Sequence, residues 1–200
     1  MIKAILKSGA LLFVFTMVSI FFVNWTQNST YDKIQYNEEQ LLILRLGELV
    51  SGYDNDILQD KYSKEISLHG VQQKINIYPA KRNKIIFAYL IEHTYPNGYS
   101  GNIRLLTGVT IEKKLLGVRV IAHKETPGLG DKIETKKSNW IEQFSGLSLS
   151  NPQKDQWKVV RDGGVFDSFT GATITPRAIV TASYQVLELF TQQLHLVKEK

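Results

Sequence analysis

The chain has 200 residues, 43% of them apolar, enough for one compact domain plus a tail. It contains no cysteine, which excludes disulfides, cysteine-ligated iron–sulfur clusters and thioether-attached haem within this chain, so any redox chemistry must come from a bound organic cofactor or from partners. A formal net charge of +5, with lysines in neither a stripe nor a run interleaved with aromatics, argues against nucleic acid as a partner.

Residues 8–25 (SGALLFVFTMVSIFFVNW) carry no charge and, at about 1.5 Å per residue as a helix, nearly span a bilayer core, with Trp25 at the far interface. A cleaved leader needs small residues at the end of its apolar run, and residues 20–25 (IFFVNW) lack them, so the segment reads as a retained anchor. Lys3 and Lys7 precede the span, whereas Asp32, Lys33, Glu38 and Glu39 follow it. That bias places the N-terminus in the cytoplasm and the rest of the chain outside, in the periplasm where a cell has one, with the anchor in the inner membrane. The expected organisation is a cytoplasmic start and anchor (1–25), a membrane-proximal helical segment (26–60) and a periplasmic domain (61–200).

After a polar stretch at 26–30, Leu42, Leu46 and Leu49 recur at helical spacing with Arg45 and Glu48 off the stripe, predicting a helix over 38–50. Residues 74–78, 84–92, 101–106, 109–112 and 115–123 are short and β-rich, separated by Pro79, Pro96-Asn97-Gly98, Thr107-Gly108 and Lys113-Lys114. They predict an antiparallel sheet. Residues 138–144 suit a short helix, 157–160 a further strand, and 176 to about 196 a terminal helix. In that helix Ile179, Ala182, Val186, Phe190, Leu194 and Val197 share the face that would pack on the sheet. The expected fold class is α+β, an antiparallel sheet packed with helices and preceded by a single N-terminal transmembrane helix.

Two segments carry the chemistry. In 167–177 (DSFTGATITPR), Thr170, Thr173 and Thr175 surround Gly171 and Ala172 just before a helix start, with Thr175 expected as N-cap and Pro176 at the first helical position. Free N–H groups and the positive dipole end would favour a phosphate at Thr175, while Gly171 and Ala172 leave room for a bulky group. A capped turn that binds nothing accounts for the same residues. The loop 123–132 (HKETPGLGDK) follows a predicted strand, and its composition permits close backbone approach to a flat ligand, although an ordinary polar turn would read alike. Tyr95 and Tyr99 flank a Pro-Asn-Gly turn and could stack on a flat ring or simply close a hairpin; Phe166 and Phe169 are further stacking candidates or core residues. The four histidines, His69, His93, His123 and His195, show no paired metal spacing, and no serine sits in a nucleophile elbow. Neither Gly163-Gly164 nor Gly128-Leu129-Gly130 completes a dinucleotide fingerprint.

Residues 170–175 are similar to the Ser/Thr-Gly-Ala-Thr-x-Thr flavinylation motif, whose final threonine is joined to FMN by a phosphoester. Residues 125–130 match a Glu-Thr-Pro-Gly-Leu-Gly loop that helps form a flavin pocket. With Arg161 to Asp167 upstream and Pro-Arg-Ala-Ile-Val downstream, the chain resembles the RnfG (RsxG) family, flavoprotein components of the Rnf-type ion-translocating electron-transport complexes, over nearly its whole length. The resemblance implies covalent FMN on Thr175, with Thr170, Gly171, Ala172 and Thr173 around the attachment point and Glu125, Thr126, Gly128, Leu129 and Gly130 in the pocket loop. It further implies transfer of FMN from FAD by a separate flavin transferase, which releases AMP, and electron relay between ferredoxin and NAD coupled to ion translocation. On this view the chain is not catalytic alone, and partner subunits supply the iron–sulfur clusters, the nicotinamide site and the ion path. Ala122 and Ser168 stand where the family often has a carboxylate and a glutamine, so neither is assigned a role. The alternatives are the covalent-FMN subunit of a sodium-pumping quinone reductase, a membrane-anchored flavin-binding regulatory module, and an anchored structural domain that binds nothing.

Overall fold

The computed structural model describes residues 2–192, so Leu194, His195 and Val197 of the sequence reading lie outside the described residues. The chain divides into two compact units, Met1–Ile43 and Leu44–Lys200. Among the described residues one helix is long and apolar enough to cross a membrane, and it is α1 (Ile2–Leu49). The polar stretch at 26–30, expected to end the anchor, does not interrupt it. That stretch contains neither proline nor glycine, and Thr30 Oγ1 donates to the carbonyl of Thr26 at 2.8 Å, so its hydroxyl is satisfied within the helix. Thr16 and Ser19 do the same within the apolar run, donating to the carbonyls of Leu12 and Phe15. Such internal pairing is what hydroxyls facing hydrocarbon require.

The second unit is built on a five-stranded antiparallel meander, β1 (Tyr62–Leu68), β2 (Val71–Arg82), β3 (Ile85–Tyr95), β4 (Ile103–Thr110) and β5 (Leu115–Ala122), in that spatial order. The α+β expectation holds, with three differences in detail. Strand β1 is absent from the sequence reading, because Ser63, Lys64, Glu65 and Ser67 dilute its apolar content, as suits an edge strand. Its signal lay in the turn: His69 and Gly70 both have positive φ, as a two-residue hairpin requires. Pro79, expected as a break, lies inside β2. The pairing of β1 ends at Tyr62 with Ile77, so Pro79 sits where β2 has become an edge, and its carbonyl accepts from Asn55 Nδ2 at 3.0 Å. Thr107 and Gly108, also expected as a break, are a bulge within one strand, where Gly108 passes close to Leu116.

Helix α2 (Ile174–Gln192) covers one sheet face, where Ile179, Ala182, Val186 and Phe190 join Ile77, Ile91, Leu105 and Val118 in the main core. The other face is buried too: Tyr78, Ala80, Leu90 and Leu106 are inaccessible, as are Leu46, Leu49, Val50 and Ile57. The last turn of α1 lies against β5, where a Cβ on Gly117 would meet Leu49 at 2.9 Å and Arg119 donates to Glu48 at 2.6 Å. Arg45, buried beside it, bonds both Glu48 and Thr135.

A buried polar relay crosses the core beneath α2. Thr107 lies 2.9 Å from His93 Nε2, His93 Nδ1 lies 2.9 Å from His69 Nε2, and His69 Nδ1 lies 2.6 Å from Gln185 Oε1. One arrangement of protons satisfies all three contacts with both rings neutral: each donor points towards Gln185, which accepts. Burial holds both imidazoles below their ordinary value of 6.5, His93 furthest, where the neighbouring His69 adds to the effect. The unfolded chain therefore binds protons that the folded chain refuses, and stability falls as pH drops through and below about 6.5. The thermal midpoint, followed by circular dichroism in detergent, should decline from pH 7 to pH 5. His93→Gln should lower it at pH 7 and flatten that decline; an unchanged slope would show that other groups control it.

Candidate functional site

The carbonyl of Thr173 accepts the N–H of Arg177 at 3.3 Å, which makes Thr173 the N-cap of α2. This corrects the expected cap at Thr175 by one half-turn: Thr175 lies in the first turn, and Pro176 occupies the third helical position, where a missing N–H is still without cost. The shift turns the Thr175 side chain inward, leaving it 1% exposed, with Oγ1 donating to Glu125 Oε2.

Glu125 is held from three directions. Its carboxylate accepts the backbone N–H of Ser100 at 2.9 Å and of Tyr99 at 3.3 Å, besides the Thr175 hydroxyl. Its own N–H donates to His123 Nδ1 at 3.0 Å, and His123 Nε2 in turn contacts Glu134 at 2.9 Å. The loop beyond it is closed by Thr126, whose carbonyl accepts the N–H groups of both Leu129 and Gly130.

A cavity of about 690 Å³ opens over the start of α2, within the range of cofactor sites. Thr175, Thr173 and Ala172 line one side, Thr126, Leu129 and Gly130 the other, and Gly171 also contributes. The guanidiniums of Arg161 and Arg177 complete the polar wall. Arg161 donates to Thr173 Oγ1 at 3.2 Å; Arg177 pairs in fork fashion with Asp162 at 2.6 and 2.8 Å, which lowers the Asp162 carboxyl below its usual range. Around the same cavity Tyr99, Leu129 and Ile174 expose apolar surface.

The two glycines of the loop serve different ends. Gly128 does not line the cavity and has open space where a Cβ would stand; its φ of +77° is what the turn requires. Gly130 is the close approach. A Cβ there would lie 2.9 Å from Thr175 Oγ1, 2.9 Å from Glu125 Cβ and 3.3 Å from Glu125 Oε2. Gly130→Ala should therefore disturb the Thr175–Glu125 pair at about 1–3 kcal/mol and lower flavin incorporation, whereas Gly128→Ala should cost about 1–2 kcal/mol in backbone strain and leave incorporation near normal. Equal flavin content in the two variants, read by denaturing-gel fluorescence, would contradict this division.

Of the residues singled out in the sequence, Thr126, Leu129, Gly130, Gly171, Ala172, Thr173 and Thr175 meet at the cavity. Thr170 is exposed and outside the wall, Gly128 is outside it, and Glu125 stands behind Thr175. Phe166 and Phe169 are core residues, not stacking faces: Phe166 lies parallel to Phe144 at 4.9 Å, and Phe169 meets Trp140 edge-on at 5.0 Å. Arg161, Arg177 and Ile174 were missed as cavity residues; the one available signal was that both arginines flank a predicted helix start, the preferred place for an anion.

These residues fit FMN. Thr175 offers a hydroxyl at the wall, the first turn of α2 and two guanidiniums suit a phosphate, Gly130 leaves a space that any side chain would fill, and the apolar surfaces suit a flat ring. Residues 98–188 match the FMN-binding domain and residues 1–49 the RnfG N-terminal region. The class is thus an FMN-binding domain behind an N-terminal apolar helix. The chain is 41% identical over 98% of its length, and 96% of the relative's, to the RnfG component of the ion-translocating oxidoreductase complex of Vibrio cholerae. It is 39% identical to the corresponding protein of Vibrio atlanticus, covering 96% and 93% of the two chains, and 40% identical to that of Pseudomonas aeruginosa, covering 94% and 89%. The chain belongs to the RnfG family of ion-translocating oxidoreductase complex subunits.

Proposed function

We propose that this chain carries one FMN joined by a phosphoester to Thr175 Oγ1 and relays electrons within a membrane complex that couples transfer between ferredoxin and NAD-linked partners to ion translocation. The observation that carries this reading is the Thr175 hydroxyl in the wall of a cavity bordered by the first turn of α2, Arg161 and Arg177. Thr175 and the two arginines would hold the phosphate, Thr126 and the loop backbone would meet the polar edge or ribityl chain, and Leu129, Ile174 and Tyr99 would face the ring. When bound, the flavin accepts and releases electrons in one- or two-electron steps. The chain's own task is to bind, orient and retain it, and a covalent link prevents its loss to a compartment that holds none in reserve. A separate flavin transferase would make the link from FAD, releasing AMP.

Helix α1 would anchor the chain in the inner membrane with Lys3 and Lys7 in the cytoplasm and the flavin domain in the periplasm. The name shared by the relatives supports assembly with other membrane subunits, which would supply the iron–sulfur clusters, the nicotinamide site and the ion path. Two measurements test the reading. The intact chain made with its native flavin transferase should gain the mass of one FMN less one water and copurify with multi-spanning and iron–sulfur proteins; an unmodified mass would overturn the covalent assignment. A C-terminal phosphatase reporter that works only in the periplasm should be active, and a silent fusion would reverse the orientation.

A further inference from the structure

We propose that the Glu125 carboxylate is the proton acceptor for the Thr175 hydroxyl when the phosphoester forms, an inference that rests on Thr175 being the attachment residue. A threonine hydroxyl is a weak nucleophile unless a base takes its proton as it attacks. Glu125 Oε2 already accepts the hydrogen bond of that hydroxyl, and the carboxylate is only 3% exposed. Its other named donors, the N–H groups of Tyr99 and Ser100, are backbone amides that fix the carboxylate and give up no proton in the reaction. Thr175 lines the cavity while Glu125, bonded to the same oxygen, does not, which leaves the cavity side of that oxygen to the incoming phosphorus. Gly130 lets the pair stand this close, since a Cβ there would press on both side chains. His123, steadied by Glu134, accepts the N–H of Glu125 and fixes the loop at the base itself.

The step balances without any change of oxidation state. The bond between Thr175 Oγ1 and the flavin-side phosphorus of a flavin dinucleotide forms, and the pyrophosphate P–O bond breaks. AMP leaves with that electron pair, and the hydroxyl proton passes to Glu125 Oε2 and on to the leaving phosphate or water. The flavin transferase supplies the dinucleotide, and this chain would supply the base at its own acceptor residue.

The test is the rate of covalent incorporation into the full-length chain, given flavin transferase and FAD in detergent and read by intact mass across pH 5 to 9. Glu125→Gln keeps the size and an acceptor oxygen but cannot take the proton, so incorporation should slow by about 10²–10⁴-fold, as loss of a general base does. Its remaining rate should climb with pH after that of the wild-type chain has levelled. Glu125→Asp, with its charge kept but withdrawn, should be slowed less and level as the wild type does. A Glu125→Gln rate within threefold of wild type, with an unaltered pH profile, would leave Glu125 as an anchor only and overturn the proposal. Should that variant fail to fold by circular dichroism, Glu125→Asp decides, and a wild-type rate in it overturns the proposal. Thr175→Val separates this failure from that of the underlying reading: a mass gain in that variant removes Thr175 from the reaction whatever Glu125 does.

Discussion

Thr175→Val should give a folded chain with no covalent flavin at all. Valine keeps the shape of threonine and removes the hydroxyl, so the α2 start and the cavity should persist while the atom proposed to bond phosphorus is gone. The structural cost comes from Glu125, which loses one of its donors but keeps the N–H groups of Ser100 and Tyr99. Depriving a buried polar group of one partner costs about 1–3 kcal/mol, or about 2–4 °C in the thermal midpoint per kcal/mol for a domain of this size. Fluorescence of the denatured protein on a gel should disappear altogether, an effect too large to arise from that cost. Thr175→Ser restores the hydroxyl and should retain covalent flavin. If the Val variant stayed fluorescent, the link would have to move to Thr173, whose oxygen accepts from Arg161, or to Thr170, which is exposed and outside the cavity wall.

The sheet and α2 were legible because period-2 and period-3.6 patterns record burial directly, as at Ile179, Val186 and Phe190. What escaped was decided by neighbours in space. Pro79 reads as a break until the pairing of β1 is seen to stop at Ile77, and Thr107-Gly108 reads as a turn until a bulge accommodates it. In the site, composition and resemblance together pointed to the two loops, but not to how they touch. Glu125 and Thr175 are 50 residues apart, and nothing in their spacing reveals a hydrogen bond. The same holds for Phe166 and Phe169, which stand next to the threonine motif in sequence yet turn away from it into the aromatic core. The cap assignment failed for a local reason: Thr173 and Thr175 are both acceptable caps, and the choice between them was made by the buried carboxylate awaiting Thr175.

That aromatic core sets the second large effect, at Gly164. A Cβ on Gly164 would fall 1.9 Å from the carbonyl oxygen of Lys158 and 2.3 Å from its carbon, both backbone atoms with no rotamer to relieve them. The crowding comes from a tight return of the chain, in which Val160 N–H donates to Phe166, Phe166 N–H to Lys158 and Gly164 N–H to Val159. These bonds hold Phe166 flat against Phe144 and within 5.3 Å of Trp157, and the turn they close carries Arg161 and Asp162 to the cavity side. Gly164→Ala must therefore break the backbone bonds or displace the aromatic stack. The expected cost is about 4 kcal/mol or more, in the range reserved for such faults, and the thermal midpoint should fall by about 10 °C. Flavin incorporation should fall with it, because Arg161 and the partner of Arg177 move together. Gly163→Ala is the matched control. Gly163 has a φ of +85° with open space around it, so alanine there meets only the left-handed backbone penalty of about 1–2 kcal/mol. Melting curves of the two variants that coincide would mean that the Gly164 turn relaxes freely, and the contact with Lys158 would then not be what selects glycine.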